Sequence, residues 1–228
     1  RRANLSGVNL TGTILTGVDL SSTILTDVDL SGLNLTETIL TNVDLFGKDL
    51  TGTILTGADL SGVNLTGTIL TGADLSNTIL SDVDLSGKDL TDTILRRADI
   101  SGVNLTGTML TGADLSSAIL TGVDLSGKDL TGTILKRANV SNANLTGVDL
   151  SGKDLTGTIF TGADMSDMDL TDTILRRADL TGMNISNTIL TGADLSNAVL
   201  TGADLSNAVL TGADLSGKDL TGTILTGA

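Results

Sequence analysis

The sequence predicts a solenoid built from tandem five-residue units. Two observations carry this. An apolar residue stands at every fifth position from Leu5 to Leu225, and 40 of these 45 positions are Leu. All 28 glycines fall two residues after such a position, and the chain has no Pro. A period of five matches neither the 3.6 of a helix nor the 2 of a plain strand. Leu at this spacing would drift around a helix, and the glycine content also disfavours one. The chain must therefore turn in every unit and return each Leu to a common axis.

Each position of the unit has its own chemistry. The exceptions at the Leu position are Ile100, Val140, Phe160, Met165 and Ile185, all apolar. Two residues before it stands Ala, Val or Thr in most units, with Met, Leu or Lys in others. One residue before it stands mostly Asp, Asn or Ile. After it come Ser or Thr and then usually Gly, Asn or Asp. Ala3-Asn4-Leu5-Ser6-Gly7 and Ala58-Asp59-Leu60-Ser61-Gly62 show the order: small inward, polar outward, Leu inward, two-residue corner.

This unit, A-(D/N)-L-x-x, resembles the motif of the pentapeptide repeat proteins, and the resemblance runs through the whole chain. It implies an all-β fold, a right-handed quadrilateral β-helix with four pentads per coil. On that geometry residues 1–228 form a single domain of about 11 coils, roughly 55 Å long at the usual strand spacing. Leu stacked along the axis accounts for a positive mean hydropathy of +0.29. Coils of such a solenoid contact only their neighbours, so stability is spread along it.

Composition excludes most chemistry. The chain of 228 residues has no His, Cys, Trp or Tyr and two Phe. No imidazole is present for general base work, and no thiol for nucleophilic attack. A zinc or iron site lacks its usual ligands. The net charge of −14, almost all from Asp, disfavours direct contact with nucleic acid or an anionic membrane. No apolar run approaches membrane-spanning length. No catalytic, cofactor-binding or metal-ligating residue is assigned, and the chain reads as non-enzymatic.

A second period of 40 residues, two coils, runs over much of the chain and slips by five pentads near residues 151–155. With four pentads per coil it places Ile14, Ile54, Ile94, Ile134 and Ile174 on one face, in every second coil. A second face interleaves Ile39, Ile79, Ile119, Ile159 and Val199 with acids or Asn. A third alternates Asp44, Asn64, Asp84, Asn104, Asp124, Asn144, Asp164, Asn184 and Asp204. Interleaving dilutes the repulsion of carboxylates stacked in a sheet. The spaced Ile residues also make apolar stripes suited to lateral contact.

The cations are ordered too. Arg96-Arg97, Lys136-Arg137 and Arg176-Arg177 recur every 40 residues and are expected to line one corner. On an acidic chain such a stripe suits docking against an acidic face, including that of a second copy. Local charge balance is the simpler account. Five other cations, Lys48, Lys88, Lys128, Lys153 and Lys218, fall at the inward position. A buried unpaired ammonium is costly, so these side chains are expected to bend out toward a neighbouring Asp, or else to widen the coil. Eight Asn-x-Ser/Thr triplets, beginning at Asn4 and Asn9, follow automatically from the repeat and signify glycosylation only in a secretory context.

Neither end carries a recognisable cap, and Leu225 followed by Arg1-Arg2-Ala3-Asn4 would continue the repeat. The expectation is a piece of a longer array, or copies stacked end to end. The leading functional expectation is a structural or scaffolding protein whose partner is itself or another protein. The candidate interaction residues are Arg96, Arg97, Lys136, Arg137, Arg176 and Arg177, with Ile54, Ile94, Ile134 and Ile174. The resemblance supplies an alternative, since some members of that family are acidic mimics of duplex DNA that bind type II topoisomerases such as gyrase. This chain departs from those members in its Leu core and lack of a C-terminal helix. A third idea, ice or crystal-surface binding by Ser and Thr rows, is weakened because those residues sit at corners mixed with Arg.

Overall fold

A computed structural model describes residues 3–81 and 83–228. The continuation from Leu225 into Arg1-Arg2 lies outside the described residues. The chain divides into two compact units. The first is Arg1–Leu115 with Thr131–Thr133, and the second is Ser116–Leu130 with Ile134–Ala228.

In the first unit every described bridge is parallel and joins residues twenty apart, such as Asn34 to Ile54 and Ile54 to Asp74. Four pentads therefore close one coil. The expected all-β character takes a reduced form. Among the described residues no strand extends beyond a single bridged residue, and there is no helix. The reason is local: two of five residues form the corner, and of the other three only the outward one forms the bridge. Around it the hydrogen bonds are those of a parallel ladder. Leu35 N–H donates to Ile54 C=O at 2.7 Å, and Ile54 N–H donates to Leu33 C=O at 3.0 Å.

Each corner among the described residues is a β-turn with its third residue in the left-handed region. Ala58 N–H donates back to Leu55 C=O at 2.9 Å, and Gly57 between them has φ +69°. The corner is also tied to the next coil, because Gly57 N–H donates to Ser76 C=O at 2.7 Å. Positive φ at this position favours Gly, Asn and Asp and disfavours longer side chains.

The outward Asp or Asn is a turn former as well as a surface residue. Its Oδ1 accepts the N–H two residues on, as in Asp59 with Ser61 at 2.9 Å. That is an Asx-turn, and it gives a physical reason for Asp or Asn at this position in the units that carry one.

The second unit repeats this plan. Its bridges join Ile119 to Asn139 and Asn139 to Ile159, again twenty apart. Its core holds Leu120, Leu150 and Leu195 along with Phe160 and Met165, all essentially without solvent contact. Inward Thr residues are satisfied in two ways. Thr173 Oγ1 donates within its own turn to Leu170 C=O at 2.6 Å. Thr158 Oγ1 donates across one coil to Leu135 C=O at 3.0 Å. No buried side-chain nitrogen or oxygen among the described residues lacks a partner.

Two of the inward lysines, Lys48 and Lys153, donate to a backbone oxygen and not to an Asp. Lys48 Nζ donates to Val28 C=O at 2.8 Å, and Lys153 Nζ donates to Leu130 C=O at 2.7 Å. Both turn along the stack to a backbone oxygen of the preceding coil, which satisfies the ammonium within reach of its own stem. Asp149, four residues before Lys153, supplies charge balance across the corner. Lys88 is the most enclosed at 7% exposure. Burial pulls its pKa below the usual lysine range, against the opposing charge of Asp84.

Candidate interaction surfaces

The repeat places one outward side chain per pentad on each of four faces, and the 40-residue period decides which are apolar. In the first unit Ile39 and Ile79 are 41% and 48% exposed, separated by Asp59 on the same ladder. In the second unit Ile119, Ile159 and Val199 form the equivalent series, separated by Asn139 and Asp179. Of the four Ile residues singled out from the sequence, Ile54 in the first unit and Ile134 in the second are exposed. Ile94 in the first and Ile174 in the second are half-buried. Arg96 pairs with Asp114, which is bridged to Ile94, and Arg176 pairs with Asp194, which is bridged to Ile174.

These contacts belong to one geometry. A residue just after Leu reaches the outward Asp eighteen positions on, in the next coil. Arg96 Nε meets Asp114 Oδ2 at 2.5 Å in the first unit. In the second, Lys136 Nζ meets Asp154 Oδ2 at 3.1 Å and Arg176 Nε meets Asp194 Oδ2 at 2.5 Å. Thr41 Oγ1 makes the uncharged version of the same contact with Asp59. Local charge balance thus accounts for Arg96, Lys136 and Arg176. It does not account for Arg97, Arg137 and Arg177, which make no ion pair among the described residues. They stand exposed at left-handed corner positions, with φ of +57°, +60° and +57°.

In the second unit Lys136, Arg176 and Arg177, with Asp154 and Ile174, line one open depression of about 440 Å³. Another depression of the same unit, about 720 Å³, is lined by Asp149, Asp164, Asp167 and Asp169. Hydrogen bonds from Thr171 lower the pKa of Asp169, while Asp149, stacked one coil away, opposes them. On the alternating face, Asn64 Nδ2 donates to Asp44 Oδ1 at 3.1 Å, so Asn does more than dilute charge. No group of three or more potential metal ligands comes together among the described residues. No described helix is long and apolar enough to cross a membrane.

The repeat unit, its corner and its coil are those of a known sequence family. A profile of pentapeptide repeats matches successive segments from residues 3–42 through 188–227. The chain belongs to the pentapeptide repeat family. The twenty-residue coil in each unit is the quadrilateral turn of that family's right-handed β-helix. Among solved structures it is similar to HetL, a pentapeptide repeat protein involved in heterocyst differentiation regulation from the cyanobacterium Nostoc sp. strain PCC 7120. The two are 33% identical over 86% of this chain and 91% of HetL, with a TM-score of 0.42. A trypsin-treated form of QnrB1, a plasmid-mediated fluoroquinolone resistance protein, is 20% identical over 99% of this chain and 92% of its own, with a TM-score of 0.38. No curated protein matches the chain.

Proposed function

We propose that this pentapeptide repeat protein is a non-catalytic structural element that associates with copies of itself through its lateral faces. The observation that carries this is the apolar series Ile119, Ile159 and Val199, exposed at 40%, 38% and 45% on one ladder of the second unit. Inward positions already supply the core, so these outward residues add little to the packing of their own coil. Their regular spacing gives a stripe that removes apolar area from water only when something covers it. The test is sedimentation velocity and electron microscopy over a range of concentrations. Larger species should form with concentration, and Ile119→Ser/Ile159→Ser should weaken them. A protein that remains monomeric throughout would sink the proposal.

A second reading draws on the stacked carboxylates, such as Asp149 beneath Asp169. Such rows suit an acidic mimic of duplex DNA that binds a type II topoisomerase. Inhibition or protection of gyrase in a supercoiling assay would favour it over self-association.

A further inference from the structure

We propose that copies of this chain join side by side, the basic corner at Arg137 and Arg177 seating on the next copy's acidic corner at Asp167 and the adjoining face residue Asp149. This deepens the self-association reading and rests on it. The basic corner holds cations beyond those its own Asp residues neutralise. Lys136 and Arg176 are engaged by Asp154 and Asp194, whereas Arg137 and Arg177 are exposed without an ion pair among the described residues. These two arginines also occupy backbone positions that favour Gly or Asn, with φ of +60° and +57°. Turn formation therefore gives no reason for Arg there, and strain of this kind is often retained where a side chain serves a contact.

The second unit itself carries the complement. Asp167 lies ten residues before Arg177, which is half of the twenty-residue coil, so the two stand at opposite corners of a four-sided turn. Asp167 shares the left-handed corner geometry, at φ +61°, and helps to line the acidic depression with Asp149, Asp164 and Asp169. A copy displaced sideways without rotation brings its basic depression against that acidic one. Both corners are built on the same coil spacing, and along the basic one Arg137 and Arg177 stand two coils apart with Gly157 between them. A second copy is the occupant chosen because the chain as a whole is acidic, at −14, and carries this complementary corner in the same unit.

Opposite corners make the contact heterologous. Each copy that joins leaves one corner of each sign free, so growth is open-ended and does not stop at a dimer. Growth should also weaken with salt, since exposed charges are screened within about 8 Å at physiological ionic strength.

The experiment uses two corner variants of the full chain. Arg137→Asp/Arg177→Asp makes both corners acidic. Gly147→Arg/Asp167→Arg makes both basic, and uses corner positions of the kind at which the chain already holds Arg. Circular dichroism first establishes that each variant folds. Sedimentation of wild type should show species that grow with concentration. Each variant alone should associate more weakly by more than about tenfold. An equimolar mixture of the two should regain association, because the acidic corner of one meets the basic corner of the other. Wild type that associates while both variants associate equally well would overturn the corner pairing and leave the apolar stripe as the contact. Wild type that never associates would overturn both. Arrest at a dimer would overturn the open-ended geometry.

Discussion

Arg176 and Asp194 join neighbouring coils through a carboxylate that serves two coils at once. Asp194 Oδ2 takes Arg176 Nε at 2.5 Å, while Oδ1 accepts the Ser196 N–H of its own turn at 3.0 Å. The hydroxyl and N–H of Ser196, with the Arg176 guanidinium, hold the pKa of Asp194 down to about 2.

That depression makes Asp194 one contributor to the acid sensitivity of the fold. A carboxyl whose pKa is lower folded than unfolded contributes stability above its unfolded value, near 3.8, and loses it as pH falls toward its folded value. Asp59 and Asp154 are also lowered. Ser61 leads at Asp59; at Asp154 burial opposes the shift but hydrogen bonds from Thr156 and Lys136 outweigh it. Thermal unfolding followed by circular dichroism should show a falling midpoint between about pH 4 and 2. A midpoint that stays level or rises there would mean that relief of the net negative charge outweighs the lost hydrogen bonds.

Asn139 tests the turn-forming role of the outward position without a titrating group. Its Oδ1 accepts the N–H and hydroxyl of Ser141 at 3.0 and 2.6 Å. Asn139→Ala should cost about 1 kcal/mol in denaturant unfolding. Asn139→Asp, which keeps the acceptor, should be close to neutral. Equal losses in both variants would show that the acceptor is not what matters.

Ile119 and Leu120 are adjacent and face opposite ways. Leu120 is fully buried, so Leu120→Ala should destabilise by roughly 3 kcal/mol through lost burial and a cavity. Ile119→Ser should change stability by less than about 1 kcal/mol. Comparable losses at both positions would contradict the assignment of Ile119 to the surface.

The corners respond in opposite directions to loss and gain of a side chain. Gly132 has φ +69°, and a Cβ there would lie 3.3 Å from the Gly112 backbone of the preceding coil. Gly132→Ala should therefore destabilise by about 1–2 kcal/mol. Arg137→Gly removes a left-handed Arg and should leave stability unchanged or slightly raised. Urea titration of both variants measures the contrast, and a marked loss in Arg137→Gly would assign the Arg a structural role.

The period of five made the inward Leu, the two-residue corner and the four faces legible from the sequence. The spacing of 40 showed that Ile and basic residues recur every second coil. Less legible were the pairs of Arg96 with Asp114 and of Arg176 with Asp194, because each joins residues eighteen apart in the chain. The partners of Lys48 and Lys153 were also hidden, since a local view supplies a nearby Asp but not the carbonyl of Val28 or Leu130 in the coil before.

By itself the sequence determined which side of the chain each residue takes, because inward, outward and corner positions follow from the local repeat and its turn chemistry. Only the tertiary structure decided which polar group meets which. Arg176 and Asp194 are eighteen residues apart in the chain, and they touch because one coil lies directly upon another. The same stacking leaves Arg177, the next residue, exposed at its corner without an ion pair among the described residues.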